Sequence, residues 1–155
     1  MSEGKRPGGL TALAIINLVF SAFTGLGALG MIALLALMDT MTSAVEKTND
    51  AEATAQMEAM QELGAGFWMF LIAMSLVSAL LLLLSGIGYL QQKKFLGRTM
   101  GNAYAVLGVA GTAISAMQTP EALGGGFNLS TILGLIYPVL TLIFINGTFK
   151  EDFTR

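Results

Sequence analysis

Hydrophobic positions in this chain fall into four long unbroken runs, and the charged positions are confined to the gaps between them. No Asp, Glu, Lys or Arg occurs in 7–38, 63–92, 99–120 or 122–149, stretches of 32, 30, 22 and 28 residues. The first run reads LTALAIINLVFSAFTGLGALGMIALLALM from Leu10 to Met38, and the second FWMFLIAMSLVSALLLLLSGIGYL from Phe67 to Leu90. The third, about 100–117, is diluted by Asn102, Tyr104 and Thr112; the fourth, about 130–149, holds Tyr137, Pro138 and Asn146. A helix rises about 1.5 Å per residue, so roughly 20 apolar residues cross a hydrocarbon core of about 30 Å. Continuous runs of this length are helices rather than strands of a barrel, which alternate over short segments. A greasy soluble bundle would still carry charge on one face of each helix, and no face of any run does.

These runs predict an all-α fold, a four-transmembrane-helix bundle of two antiparallel hairpins. The whole chain, 1–155, is read as a single membrane domain with spans at about 10–38, 67–90, 100–117 and 130–149. An outer loop at 39–66 is expected to hold a short extra helix at about 50–63, capped by Asn49 with Glu52 as helper and stopped by Gly64. Span one is too long for a signal-peptide core of about 7–15 residues and reads as an uncleaved anchor. It would be about 43 Å long and span two about 36 Å, so the first pair tilts or projects from the bilayer.

Charge sorts by sign along this map. Four spans place Lys5, Arg6, Lys93, Lys94, Arg98, Lys150 and Arg155, seven of the eight basic residues, on one side. The other side has Lys47 against Asp39, Glu46, Asp50, Glu52, Glu58, Glu62 and Glu121. The positive-inside rule then predicts cytoplasmic N- and C-termini. Phe67, Trp68, Phe70 and Tyr89 fall where interfacial aromatic belts belong. Lys93, Lys94 and Arg98 are placed to contact anionic head groups, and Gly97, Arg98 and Gly101 to shape the turn into span three. In the extra helix, Ala53, Met57, Met60 and Leu63 share a face. It either docks a partner through adaptable methionines or lies on the projecting end of span one.

Only 12% of the residues are charged, against about 25% in an average soluble domain, while 54% are hydrophobic and the net charge is −2. Cysteine and histidine are absent, which removes the common nucleophile–base triads and most zinc, haem and thiol chemistry. Gly124–Gly126 lies between spans and is no phosphate cradle. The basic residues face head groups, so nucleic acid is not an expected partner. No cofactor is expected, and no enzymatic activity.

Inside the spans there is no ionisable acid or base to mark a proton relay or ion path. There is instead a seam of small and polar residues at heptad-like spacing. It comprises Ala14, Asn17, Ser21, Thr24 and Ala28 in span one, and Ser75, Ser78, Ser85 and Tyr89 in span two. Gly97, Gly101, Ala105, Gly108, Thr112 and Ser115 continue it in span three, and Gly134, Tyr137, Thr141 and Thr148 in span four. Small residues let helices approach, and hydroxyls or amides bond across the interface. Asn17, Asn102 and Asn146 are expected to meet one another near the cytoplasmic side. Pro138 frees a carbonyl near Gly134 and should open a small midplane cavity beside Tyr137. The candidate interface or path-lining residues are thus Asn17, Ser21, Ser78, Ser85, Asn102, Gly108, Thr112, Tyr137, Thr141 and Asn146.

KRPGGL before span one and GIGYLQQKKFLGRTMGNAYA joining spans two and three resemble small, uncharacterised four-helix integral membrane proteins of bacteria. The resemblance covers spans one to three and implies a bacterial inner membrane. It carries no activity and no site residue. The expected role is structural: an accessory or assembly subunit of a membrane complex, whose partners are the lipid bilayer and either copies of itself or other membrane subunits. The alternative is a small channel or facilitator for a neutral or cationic solute.

Overall fold

The computed structural model describes residues 8–48, 50–123 and 125–153. Among the described residues every regular element is helical and none is a strand. The α-helices are α1 (Gly8–Glu46), α2 (Ala51–Glu62), α3 (Gly64–Leu90), α4 (Met100–Gln118) and α5 (Leu129–Ile143). Two π-helical segments, Lys94–Thr99 and Phe144–Thr148, extend the start of α4 and the end of α5. Four helical stretches are long and apolar enough to cross a membrane: Gly8–Glu46, Gly64–Leu90, Lys94–Gln118 and Leu129–Thr148. Their surfaces agree with that reading, since Phe23 is 68% and Leu26 64% exposed on α1, and Met69 66% on α3. Such faces are stable against acyl chains and not against water.

α1 has 39 residues and is about 58 Å long at 1.5 Å per residue. It continues past the apolar run to Glu46, with Thr42 and Ser43 donating back to Met38 O and Asp39 O at 2.9 and 3.0 Å. The expected loop at 39–66 is therefore mostly helix. α2 starts at Asp50, whose Oδ1 accepts from Glu52 N and Ala53 N at 3.0 and 3.2 Å. The expected cap at Asn49 lies outside the described residues. Gly64, at φ +72°, ends α2 as predicted, and α3 begins at the same residue. Two bonds fold α2 back onto its neighbours: Gln61 Nε2 donates to Thr42 Oγ1 at 2.9 Å, and Trp68 Nε1 to Met60 O at 3.0 Å.

The connection from α3 to α4 is tighter than expected. Only Gln91–Lys93 are non-helical; Gly97 and Arg98 lie within the π-helical segment and Gly101 within α4. The chain reverses at Gln92, φ 53°, with Lys93 N donating to Gly88 O and Gln92 N to Tyr89 O. This is the paired bond pattern that closes a helix on a left-handed residue, normally a glycine. Gly97 and Gly101 serve packing instead. A Cβ on Gly88 would collide with the Leu96–Gly97 backbone, one on Gly97 with the Phe153 ring, and one on Gly101 with the Tyr89 hydroxyl.

α1 packs along α3 and α4 against α5. The main buried cluster joins Leu10, Leu13, Ala14, Tyr89, Ile145 and Phe153, and a smaller one joins Leu82, Tyr104 and Ala105. Tyr89 is 0% exposed, so it is a core residue and not a belt residue as predicted. Thr148 is exposed, outside the seam expected for it. The i→i+5 bond from Phe149 N to Phe144 O marks a change of helical register, and Ile145 takes the inward position. The end of the bundle formed by Lys93, Lys94, Arg98 and Lys150 is termed the basic end. The opposite end carries α2 and Glu121 and is termed the acidic end.

Candidate functional site

The interior seam is present, and the structure divides it in two. Toward the basic end it is closed by a buried hydrogen-bond network. Asn17, fully buried, donates from Nδ2 to Ser85 Oγ at 2.6 Å. Its Oδ1 accepts from the hydroxyl of Tyr137. Ser85 passes its own proton to Leu82 O at 3.1 Å, and Thr141, also buried, donates to Tyr137 O at 2.8 Å. One amide thus ties α1, α3 and α5 together, using both halves of its donor–acceptor pair. The Tyr89 hydroxyl is buried and has no partner among the described residues. A turn farther along α1, Ser21 Oγ donates to Ala79 O at 2.7 Å.

Toward the acidic end the seam opens into a cavity of about 420 Å³. Thr24 of α1, Ser75 and Ser78 of α3, Tyr104, Gly108, Thr112 and Ser115 of α4, and Gly134 and Pro138 of α5 line it, with the apolar Phe70, Leu71, Met74 and Leu107 making up the rest of the helical wall. Thr119, Leu123, Gly125, Ser130 and Thr131, which run from the end of α4 into the start of α5, form its mouth. Pro138 borders this cavity, but Tyr137, beside which a cavity was expected, does not line it. Pro138 presents its ring to Gly108, where an added Cβ would lie 2.9 Å from Cγ. The cavity ends at Tyr104 and Pro138; beyond this floor, Tyr137 is bonded to Asn17.

The hydroxyls bordering this space are of two kinds: Ser115 and Thr119 bond each other and Thr131 Oγ1 donates to Gly126 O at 2.8 Å, while others stay unbonded. Thr42, Ser43, Thr54, Ser85 and Thr141 all donate to nearby backbone carbonyls of their own helices. Thr24, Ser75, Ser78, Tyr104 and Thr112 line the cavity and have no hydrogen bond among the described residues. Among the described residues no charged side chain lines it. The sequence singled out Thr24, Ser75, Ser78 and Thr112 of this set. It missed Tyr104, Ser130 and Thr131, although they stand three or four residues from Gly101, Gly108 and Gly134 on the same helices, and Thr119, which follows α4 where helical spacing no longer applies.

The three asparagines do not all meet. Asn102 and Asn146 exchange hydrogen bonds, Asn146 Nδ2 to Asn102 Oδ1 at 2.6 Å and Asn102 Nδ2 to Asn146 Oδ1 at 3.2 Å. Arg98 joins them by donating from Nε and Nη2 to the same Asn146 oxygen. Asn17 is held by Ser85 and Tyr137 instead, on the helix face turned inward. Lys93 and Lys94 are exposed beside this group. Of the methionine face, Met57 is 6% exposed, while Met60 and Leu63 are half-buried. Part of the face is therefore spent on the chain's own packing. No group of three or more metal-ligating side chains occurs among the described residues.

Comparison of the chain with known protein families, characterised proteins and solved structures found no match.

Proposed function

We propose that this chain is an integral membrane protein of a bacterial inner membrane that works by assembling with copies of itself as a structural or accessory unit. In this reading its spans form two antiparallel hairpins with both termini cytoplasmic. The orientation is supported by the sorting of seven of eight basic residues to one side. The bacterial membrane is supported by the sequence resemblance alone.

The observation that carries the assembly reading is on the outward face of α1. Phe23, Gly27, Gly30 and Leu37 recur there at heptad-compatible intervals and are exposed, and among the described residues nothing lies within 4 Å of where a Cβ on Gly27 or Gly30 would stand. A glycine inside a helix costs about 1 kcal/mol relative to alanine. A face that met only lipid gains nothing from that loss, whereas a second helix can approach closely at small residues. Native mass measurement in lipid nanodiscs tests this. The unaltered chain should form dimers or larger species, and Gly27→Leu with Gly30→Leu should shift it to monomer. A chain that stays monomeric and co-purifies with no other subunit ends the proposal.

The cavity favours the facilitator as a second reading. Flux of a small neutral solute into liposomes decides it. Flux that is absent, or unchanged when Ser78, Thr112 and Gly134, which line the cavity, are made leucine, removes it.

A further inference from the structure

We propose that the cavity between the long helices is a binding site for a small uncharged solute rich in hydroxyl groups, entered from the acidic end. The site lies within one chain and does not depend on self-assembly.

Three observations converge on this class of ligand. First, of the hydroxyls that line the space, Ser115, Thr119 and Thr131 are bonded, but Thr24, Ser75, Ser78, Tyr104 and Thr112 have no partner among the described residues and are left to a molecule in the cavity. A free hydroxyl at membrane depth is costly unless something in the space pairs with it. Second, no Asp, Glu, Lys or Arg among the described residues lines the cavity. A charged solute would enter with no counter-charge to offset its lost hydration. Third, hydroxyls both donate and accept, so their best complement is a molecule that does the same. The volume of about 420 Å³ lies in the range of small-molecule sites.

An acyl chain fits a different place. A groove of similar volume, about 410 Å³, runs between α1 and α5 along Leu13, Ile16, Val19, Phe20 and Leu140. Its walls are apolar, as a lipid chain requires. The hydroxyl-lined cavity reaches the connecting segment at Thr119, Gly125 and Thr131, so its entry is from the aqueous side. Glycines at 108, 111 and 134 keep it open.

The chain has no cysteine, so one introduced thiol reports without background. In nanodiscs, iodoacetamide should alkylate Thr112→Cys at least about tenfold faster than Ser85→Cys, which lies behind the floor, because access governs thiol reaction. Erythritol, the probe solute, should slow the Thr112→Cys reaction about threefold or more by occupying the site. It should leave the exposed control Thr48→Cys unchanged. Equal rates at 112 and 85 would overturn the proposal by showing a closed or lipid-filled space. Fast labelling at 112 that erythritol does not slow would overturn it by showing water alone. A second measurement uses the unaltered chain. Saturation-transfer NMR should detect erythritol bound in nanodiscs, and Gly134→Leu, which fills the space beside Thr112, should abolish the signal. No signal from the unaltered chain, or one that survives Gly134→Leu, also overturns the assignment.

Discussion

At the basic end of the bundle, Gly88, Gly97 and Gly101 bring backbone and aromatic ring into contact. At the acidic end, Gly111 and Gly134 have only Met74 and Thr112 within 4 Å and border open space. Both halves use the same alphabet of glycine, alanine, serine and threonine at the same spacing. What separates them is the large side chains opposite. Tyr89, Ile145, Phe149 and Phe153 fill the basic end, and Asn17 bonds Ser85 and Tyr137 there, while the Tyr89 hydroxyl has no partner among the described residues. No comparable plug enters the acidic half above Tyr104. A small-residue seam in a membrane bundle is thus permission for close approach, and its neighbours decide whether contact or a cavity results.

Four substitutions probe that contrast, each read as the change in unfolding free energy in a mixed-micelle titration. The largest effect belongs to Gly88→Ala. Its Cβ would meet the Leu96–Gly97 backbone, which cannot move aside as a flexible side chain can. Overpacking of this kind costs about 3 kcal/mol. A neutral result would mean the basic end is not tightly closed. Asn17→Leu comes next, at about 2 kcal/mol, because it strands the Tyr137 hydroxyl and removes the amide bonded to Ser85. An unchanged midpoint would show that the network carries no stability.

Gln92→Gly should stabilise the fold by about 1 kcal/mol, since φ 53° is strained for Gln and free for Gly. A loss of stability there would contradict the chain reversal described for Gln92. The smallest effect is expected in the open half. Thr112→Val removes a hydroxyl that has no protein partner and should stay within about 0.5 kcal/mol of the parent. A cost comparable to that of Asn17→Leu would erase the distinction between the two halves.

The spans and much of the seam were legible in the sequence. Charge gaps locate membrane helices because lipid excludes charge everywhere along a span, so the signal is repeated at each residue. Ala14, Asn17, Ser21, Thr24 and Ala28 face inward as their spacing implied. The misplacements have local causes. Tyr89 looks interfacial by its position near a span end, yet the C-terminal Phe153 covers it, and no sequence period reports a contact between residues 64 positions apart. Gly97 and Gly101 look like turn residues, yet the reversal falls on Gln92, a residue type with no strong preference for that conformation. The π-helical segment from Phe144 shifts the register that would have turned Thr148 inward. The cavity itself was not legible: it was expected beside Tyr137, and the structure places it among Thr24, Ser78, Gly108, Thr112 and Gly134 instead.

The division of the seam into a closed and an open half is tested most directly by a thiol-accessibility profile along α4. Single cysteines would be placed at Ala105, Thr112 and Ser115 in nanodisc-embedded protein and exposed to a small water-soluble alkylating reagent. Labelling that is near zero at 105, where the side chain is fully buried, and rises through 112 to its highest value at 115 is the expected result. A flat profile, or one that rises toward 105, would contradict the account.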